Sequence, residues 1–190
     1  ANVVADIEAG RHVVMYRGHG SSTGWSSWDW NSSSFSGPVN MGLDNTGRPS
    51  IVLNVACTNS GLDLQGDCLA ERWMENNFGA VASYGATRST GTGRNHAFAR
   101  AYFKFLYGGT PAIMSHTLNC SWLTAAIELG PDVDVAANWY QYLLLGDPEM
   151  KVYTSNPSPI IITGPPLSLS PHPHQPQLRA TSPTAAPVSR

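Results

Sequence analysis

The sequence predicts an α/β fold, a parallel sheet flanked by helices on both faces. Three observations carry that reading. Short apolar runs, Val13-Val14-Met15-Tyr16, Ile51-Val52-Leu53-Asn54-Val55-Ala56 and Gly79-Ala80-Val81-Ala82-Ser83-Tyr84, have the length and composition of buried strands. Segments of helical period lie between and after them. Gly and Asn clusters punctuate the joins, as at Asn76-Asn77-Phe78-Gly79 and Gly108-Gly109.

Taken in order, the first strand covers 13–16 and leads into a long loop, roughly 20 to 50, rich in Ser, Gly and Asn. That loop carries Trp25, Trp28 and Trp30. Loops of this length are usually functional or disordered, and three closely spaced indoles argue against disorder. The second strand, 51–56, ends at Cys57. A helix from about Gln65 to Asn77 sets Leu69, Trp73 and Met74 on one face. The third strand, 79–84, enters a loop from Gly85 to Gly93 with Thr87, Arg88, Ser89 and Thr90 at its centre. Asn95 is placed to cap the next helix, which runs to about Tyr107. Thr110 to Ser115 reads as a short strand or as the start of a helix continuing through Thr117–Leu129. A last helix, Val135 to Leu145, leads through Gly146-Asp147-Pro148 to a final strand, Met150 to Tyr153.

Composition divides the chain. Nine of the 14 prolines fall in 155–190, where only Arg179 and Arg190 are charged. Such a stretch reads as a Pro/Ser/Thr-rich linker, or as the start of a following domain, and cannot build a core. Residues 1–154 are thus expected to hold the folded domain. The chain begins with Ala, and no charged-then-apolar leader precedes the first strand, so it reads as an excerpt of a longer protein.

With 11 Lys and Arg against 13 Asp and Glu, the formal charge is -2, which offers no electrostatic case for nucleic acid. No run approaches the ~20 apolar residues of a membrane-spanning helix. Of the three cysteines, one is left over if two pair. A Cys68–Cys120 bridge with Cys57 free is one arrangement, and three reduced thiols is the other.

The chemistry sits at the strand ends. His19 in Tyr16-Arg17-Gly18-His19-Gly20-Ser21 and Cys57 in Val55-Ala56-Cys57-Thr58-Asn59 each follow a predicted parallel strand. Open α/β sheets bind ligands at the carboxyl ends of such strands. An imidazole beside a thiol supplies a nucleophile and its base. The thiolate attacks, and the imidazolium later protonates the leaving amine. The backbone N–H groups of Gly20 and Cys57 are candidates to face the developing oxyanion. No cofactor or metal is needed for this chemistry.

These blocks, Gly18-His19-Gly20-Ser21 with Trp25 close behind, Val55-Ala56-Cys57-Thr58-Asn59 and Leu145-Gly146-Asp147-Pro148, resemble the gingipain family of cysteine peptidases, in the same order and over about residues 10–154. The resemblance implies a caspase-like parallel sheet flanked by helices, with its first strands upstream of this chain. It implies a cysteine endopeptidase acting on protein or peptide substrates, secreted or held at the cell surface. His19 and Cys57 match the catalytic dyad of that family, and the amides of Gly20 and Cys57 its oxyanion site. The family's orienting acid lies upstream of the His; Asp6 and Glu8 precede the first strand and start at its opposite end. Gingipains cut after Arg or Lys. Their primary pocket is lined by a segment whose counterpart here is about Gly85 to Arg94, which makes Thr87, Arg88 and Ser89, together with Trp25, candidates to line a pocket. Arg88 there either favours an acidic residue before the cut bond by charge pairing or is a solvated surface charge, the commoner case. Structural calcium is a further implication, for which Asp132 and Asp134 are candidate oxygen donors. The competing reading is a catalytically silent module of the same fold that grips peptide or sugar with Trp25, Trp28 and Trp30; the other account of these indoles is a loop pinned onto the domain by buried Trp.

Overall fold

The computed structural model describes residues 3–26, 35–36, 43–45, 47–108 and 112–154. The chain divides into two units, Ala1–Thr154 and Ser155–Arg190, and all described residues lie in the first.

Strands β1 (Val13–Arg17), β5 (Ser50–Val55), β6 (Ala80–Ala86) and β8 (Tyr142–Gly146) form a four-stranded sheet in the order β1-β5-β6-β8. The first three are parallel. Val13 pairs with Ile51 and Arg17 with Val55, while Ile51 pairs with Ala82 and Asn54 with Gly85. β5 is buried along its whole length, which is why residues 51–55 read as an apolar run interrupted only by Asn54 and not as an alternating one. Its side chains still sort by the two-residue period of a strand. Ile51, Leu53 and Val55 face one core, built on Phe98, Tyr102 and Trp122. Val52 faces the other, with Ile7, Trp25, Leu69 and Trp73.

The helices cover both faces. α1 (Val3–Glu8) and α2 (Leu69–Glu75) lie on the Val52 side; α3 (Thr92–Leu106) and α4 (Met114–Leu129) lie on the Ile51 side, followed by the short α5 (Val135–Trp139). Phe98 of α3 stacks on Trp122 of α4 with centroids 4.4 Å apart, and the Trp122 indole donates to the Tyr84 hydroxyl of β6 at 2.7 Å. Such a pair anchors α4 to the sheet while satisfying both buried polar atoms.

Several sequence expectations change. The segment 135–145 is not one helix: α5 stops at Trp139, and 142–146 becomes β8, antiparallel to β6 with Ala86 opposite Tyr142 and Ala82 opposite Gly146. Tyr-Leu-Leu-Leu suits helix and strand alike, and the open edge of β6 decides. Gly146 is obligatory at the end of that pairing, because its φ is +134° and a Cβ there would meet that of Ala82 at 2.8 Å. The loop predicted over 20–50 contains three short strands, β2 (His19–Ser21), β3 (Gly24–Ser26) and β4 (Phe35–Ser36), paired as an antiparallel sheet. The predicted final strand shortens to β9 (Lys151–Val152), which pairs with β7 (Ala112–Ile113) apart from the main sheet.

α3 begins at Thr92, so Asn95 is a buried residue inside the helix and not its cap. Cys57, Cys68 and Cys120 are all free thiols, which removes the Cys68–Cys120 bridge. Cys68 is buried at the start of α2, and Cys120 lies on α4 against His116, with Sγ 3.5 Å from Nε2.

Candidate functional site

The site forms where β5 and β6 end and the β2–β3 hairpin turns back over them. Past Val55 the chain leaves the sheet through Ala56 and Cys57, and Thr58 takes φ +63°, a conformation β-branched residues rarely adopt. The surrounding bonds hold that turn: Thr58 N–H donates to Arg88 C=O at 3.3 Å, and Ser60 N–H to Ala86 C=O at 2.9 Å. Backbone strain held this firmly is a mark of functional sites. Cys57 is left half-buried at the carboxyl edge of the sheet.

His19 opens β2 and is exposed. Its hairpin is fastened to the sheet by Trp25, which is 5 % exposed, stacks on Tyr16 at 4.7 Å and donates its indole N–H to Asn54 Oδ1 at 2.8 Å. The Tyr16 hydroxyl reaches the carbonyls of His19, at 2.8 Å, and of Ser26, the residue opposite it in the hairpin. Burial pushes that phenol's pKa up, so it remains a donor.

A second fastening comes from the Cys57 side. Asn59, fully buried, donates its amide to Ser21 C=O at 2.5 Å and Gly24 C=O at 3.0 Å, the paired residues that close the hairpin. The first N–H groups of α2 complete the join. Leu69 donates to Ser22 C=O at 2.6 Å and Ala70 to Asn59 C=O at 3.0 Å. These are the orphan donors of a helix start, here used to tie the hairpin turn to the loop after Cys57. The two segments meet so closely that Gly20 has no room for a side chain. A Cβ there would lie 2.7 Å from Cys57 C=O, 2.7 Å from Asn59 Oδ1 and 2.9 Å from Ala56 Cβ.

The loop after β6 closes the third side. Thr90 N–H donates to Cys57 Sγ at 3.4 Å, and Thr90 Oγ1 and C=O each lie 3.9 Å from the sulfur. Thr87 is spent on the residue just before β8, its N–H and hydroxyl both donating to Gln141 C=O, at 2.7 and 2.9 Å. Arg88 forms a two-pronged ion pair with Asp63, at 3.0 and 2.6 Å. The guanidinium holds the Asp63 carboxyl below its usual range, and the carboxylate raises Arg88 in turn. Arg88 therefore meets its counter-charge inside the chain. Ser89 is exposed beside it.

Of the residues singled out from sequence, the fold thus gathers Gly20, Cys57 and the 87–90 loop at one edge, with His19 next to Gly20. Trp25 does not present its ring to solvent; it pins the hairpin. Trp28 and Trp30 lie outside the described residues. Asp6, on α1, pairs with Arg11 at 3.6 Å. Asp134 caps α5 by accepting from Ala137 N–H at 3.1 Å. Among the described residues no three His, Cys, Asp or Glu side chains converge. Sequence reasoning missed the roles of Thr90 and Asn59. Asn59 stood in the motif already quoted around Cys57, but the burial that distinguishes it is visible only in the fold.

These features define an α/β domain with the Cys57 segment and the His19 hairpin joined at the carboxyl edge of its sheet. The sequence profile of peptidase family C25 matches residues 1–153, and the chain belongs to that family, the gingipains. Among solved structures it is similar to the Arg-specific cysteine proteinase gingipain R, with 20 % identity and a TM-score of 0.69 over 80 % of this chain and 36 % of that one. It is similar also to the complex of pro- and mature domains of RgpB from Porphyromonas gingivalis, at 20 % identity and TM-score 0.70, covering 80 % and 37 %. A third structure, described as a protease, aligns at 16 % identity and TM-score 0.72, covering 86 % and 40 %. The chain thus spans well under half the length of these structures. No match to a curated protein was found. No helix among the described residues is long and apolar enough to cross a membrane.

Proposed function

We propose that this chain carries the catalytic dyad of a cysteine endopeptidase, Cys57 as nucleophile and His19 as general acid and base. The observation that supports the reading is the close approach of Gly20, the residue after His19, to the Cys57 main chain. Membership of a cysteine-peptidase family supports it. In the reaction His19 takes the Cys57 proton, and the sulfur adds to the carbonyl carbon of the cut bond. The N–H groups of Gly20 and Cys57 receive the negative oxygen. The tetrahedral adduct collapses as the C–N bond breaks, and His19 returns the proton to the amine that leaves. Water, deprotonated by His19, then hydrolyses the thioester and frees Cys57.

The substrate is a protein or peptide chain in extended form, and the protein acts outside the cell or at its surface, as the likeness to gingipains suggests. No acidic preference is assigned to Arg88, because Asp63 already neutralises it. Digestion of a peptide library by the purified chain, read by mass spectrometry beside Cys57→Ala and His19→Ala, tests the proposal. It predicts cuts that disappear in both variants. Cuts that survive Cys57→Ala, or none from the unmodified chain, would contradict it.

A further inference from the structure

We propose that Thr90 is a catalytic residue of this chain, its main-chain N–H and its hydroxyl together holding the Cys57 thiolate. The inference rests on the assignment of Cys57 as nucleophile and adds to it a group that touches the reacting atom. Thr90 presents three polar atoms to the sulfur: N–H at 3.4 Å, hydroxyl at 3.9 Å and carbonyl at 3.9 Å. Protonated, the thiol has the carbonyl as its acceptor. Once the proton leaves, the N–H and O–H are the donors that remain, and hydrogen bonds to an ion shorten and strengthen.

The hydroxyl is held for that task. Asn95 Nδ2 donates to Thr90 Oγ1 at 2.8 Å, occupying one lone pair and leaving the hydroxyl proton to be donated elsewhere. Asn95 is itself locked. Its Oδ1 accepts from Asn138 Nδ2 and from the Tyr142 hydroxyl, both at 2.9 Å, and Asn138 Oδ1 accepts from Gly91 N–H at 3.1 Å. Asn95 and Asn138 are 4 % and 1 % exposed, so the network lies away from water, where a fixed dipole acts at full strength. A packing role alone would not need a chain of amides ending on a hydroxyl at the sulfur.

The charged and titratable groups around the thiol leave Thr90 this part. Tyr142 on β8 is also within reach of the Thr90 hydroxyl. Burial first, with Cys57 among the lesser causes, drives its phenol far above the usual range, so it stays neutral. Arg88, two residues before Thr90, is spent on Asp63. His19 opens β2, one residue before Gly20. An anionic sulfur outcompetes the neutral Tyr142 oxygen for the Thr90 proton.

The test is thiol–disulfide exchange at Cys57 with the neutral probe 2-hydroxyethyl disulfide, from pH 5 to 10, resolved from Cys68 and Cys120 by peptide mass spectrometry. Thr90→Val keeps the shape and deletes the hydroxyl; Thr90→Ser restores it, and Thr90→Ala serves if valine unfolds the chain. Loss of one charge-assisted hydrogen bond should move the midpoint of the rate profile up by about one pH unit. Thiolate nucleophilicity rises as its basicity rises. The variant should therefore be about threefold slower at pH values well below the midpoint and about threefold faster on the alkaline plateau, so that the two profiles cross. Thr90→Ser should follow the unmodified protein. Superimposed profiles, or a uniform slowing without a crossing, overturn the role of Thr90 and leave the dyad standing. If His19→Ala in the same series exchanges at pH 6 as fast as the unmodified chain, the dyad itself fails.

Discussion

Replacing Gly20 by alanine adds one methyl group at the point where the His19 hairpin rests on the Cys57 segment. Ordinary contact begins near 3.4 Å, and the added carbon would lie 2.7 Å from both Cys57 C=O and Asn59 Oδ1. The segments must therefore part by about 0.7 Å. Neither neighbour yields easily, since one is main chain beside the Thr58 turn and the other is a fully buried amide bonded to Ser21 and Gly24. Overpacking of this kind costs roughly 1–3 kcal/mol of stability. In a domain of this size that lowers the melting temperature by several degrees, at about 2–4 °C per kcal/mol. The larger effect falls on reactivity, because misplacement on the order of 1 Å costs about a hundredfold in rate. Urea unfolding and Cys57 labelling by iodoacetamide, measured on the same preparation, check both numbers. Unchanged labelling at pH 6.5 in Gly20→Ala would refute the claim that this contact aligns the pair.

Three further outcomes follow from the same geometry. Asn59→Ala removes two buried hydrogen bonds to the hairpin and should cost about 1–3 kcal/mol in urea unfolding while slowing labelling of Cys57. Trp25→Ala should cost roughly 3–5 kcal/mol, and Trp25→Phe less, because phenylalanine retains the stack on Tyr16 but strands Asn54 Oδ1. The Cys68 thiol, buried and pushed from 9.0 to about 11 chiefly by desolvation, should resist iodoacetamide in the folded protein at pH 8. Because its folded value lies above the unfolded one, its contribution to stability is complete below about pH 9 and is lost as pH climbs toward about 11. Cys68→Ala should flatten that part of the urea midpoint against pH, and an unaltered slope would refute the assignment.

How much of this was legible in the sequence depends on how far each residue's partners lie along the chain. β5 could be read because burial on both faces writes a nearly continuous apolar run, and Cys57 stood out because it ends that run. The hairpin could not be read. Its strands are three residues long, made of His19, Gly, Ser and a single Trp, and hold their place through Asn54 and Asn59, some 30 to 40 residues away. β8 was hidden for a related reason, since only the free edge of β6 separates a strand from a helix for Tyr142-Leu143-Leu144-Leu145. For Trp25 the sequence leaves two readings open, a ligand grip or a buried pin for its loop, because an indole bonded to Asn54 and one exposed to a ligand leave the same letter; the structure shows the pin. Thr90 stood in view within the loop after β6, yet its closest contact with the sulfur is a main-chain N–H, which carries no residue signature.

The most direct test of the central claim is the rate of iodoacetamide labelling at Cys57 against pH, in the unmodified chain and in His19→Ala. An imidazole acting on the thiol predicts rapid labelling of the unmodified chain below about pH 7, and a marked slowing in His19→Ala. Labelling that begins only near pH 8.5, the same in both proteins, would contradict the dyad on which the proposed peptidase rests.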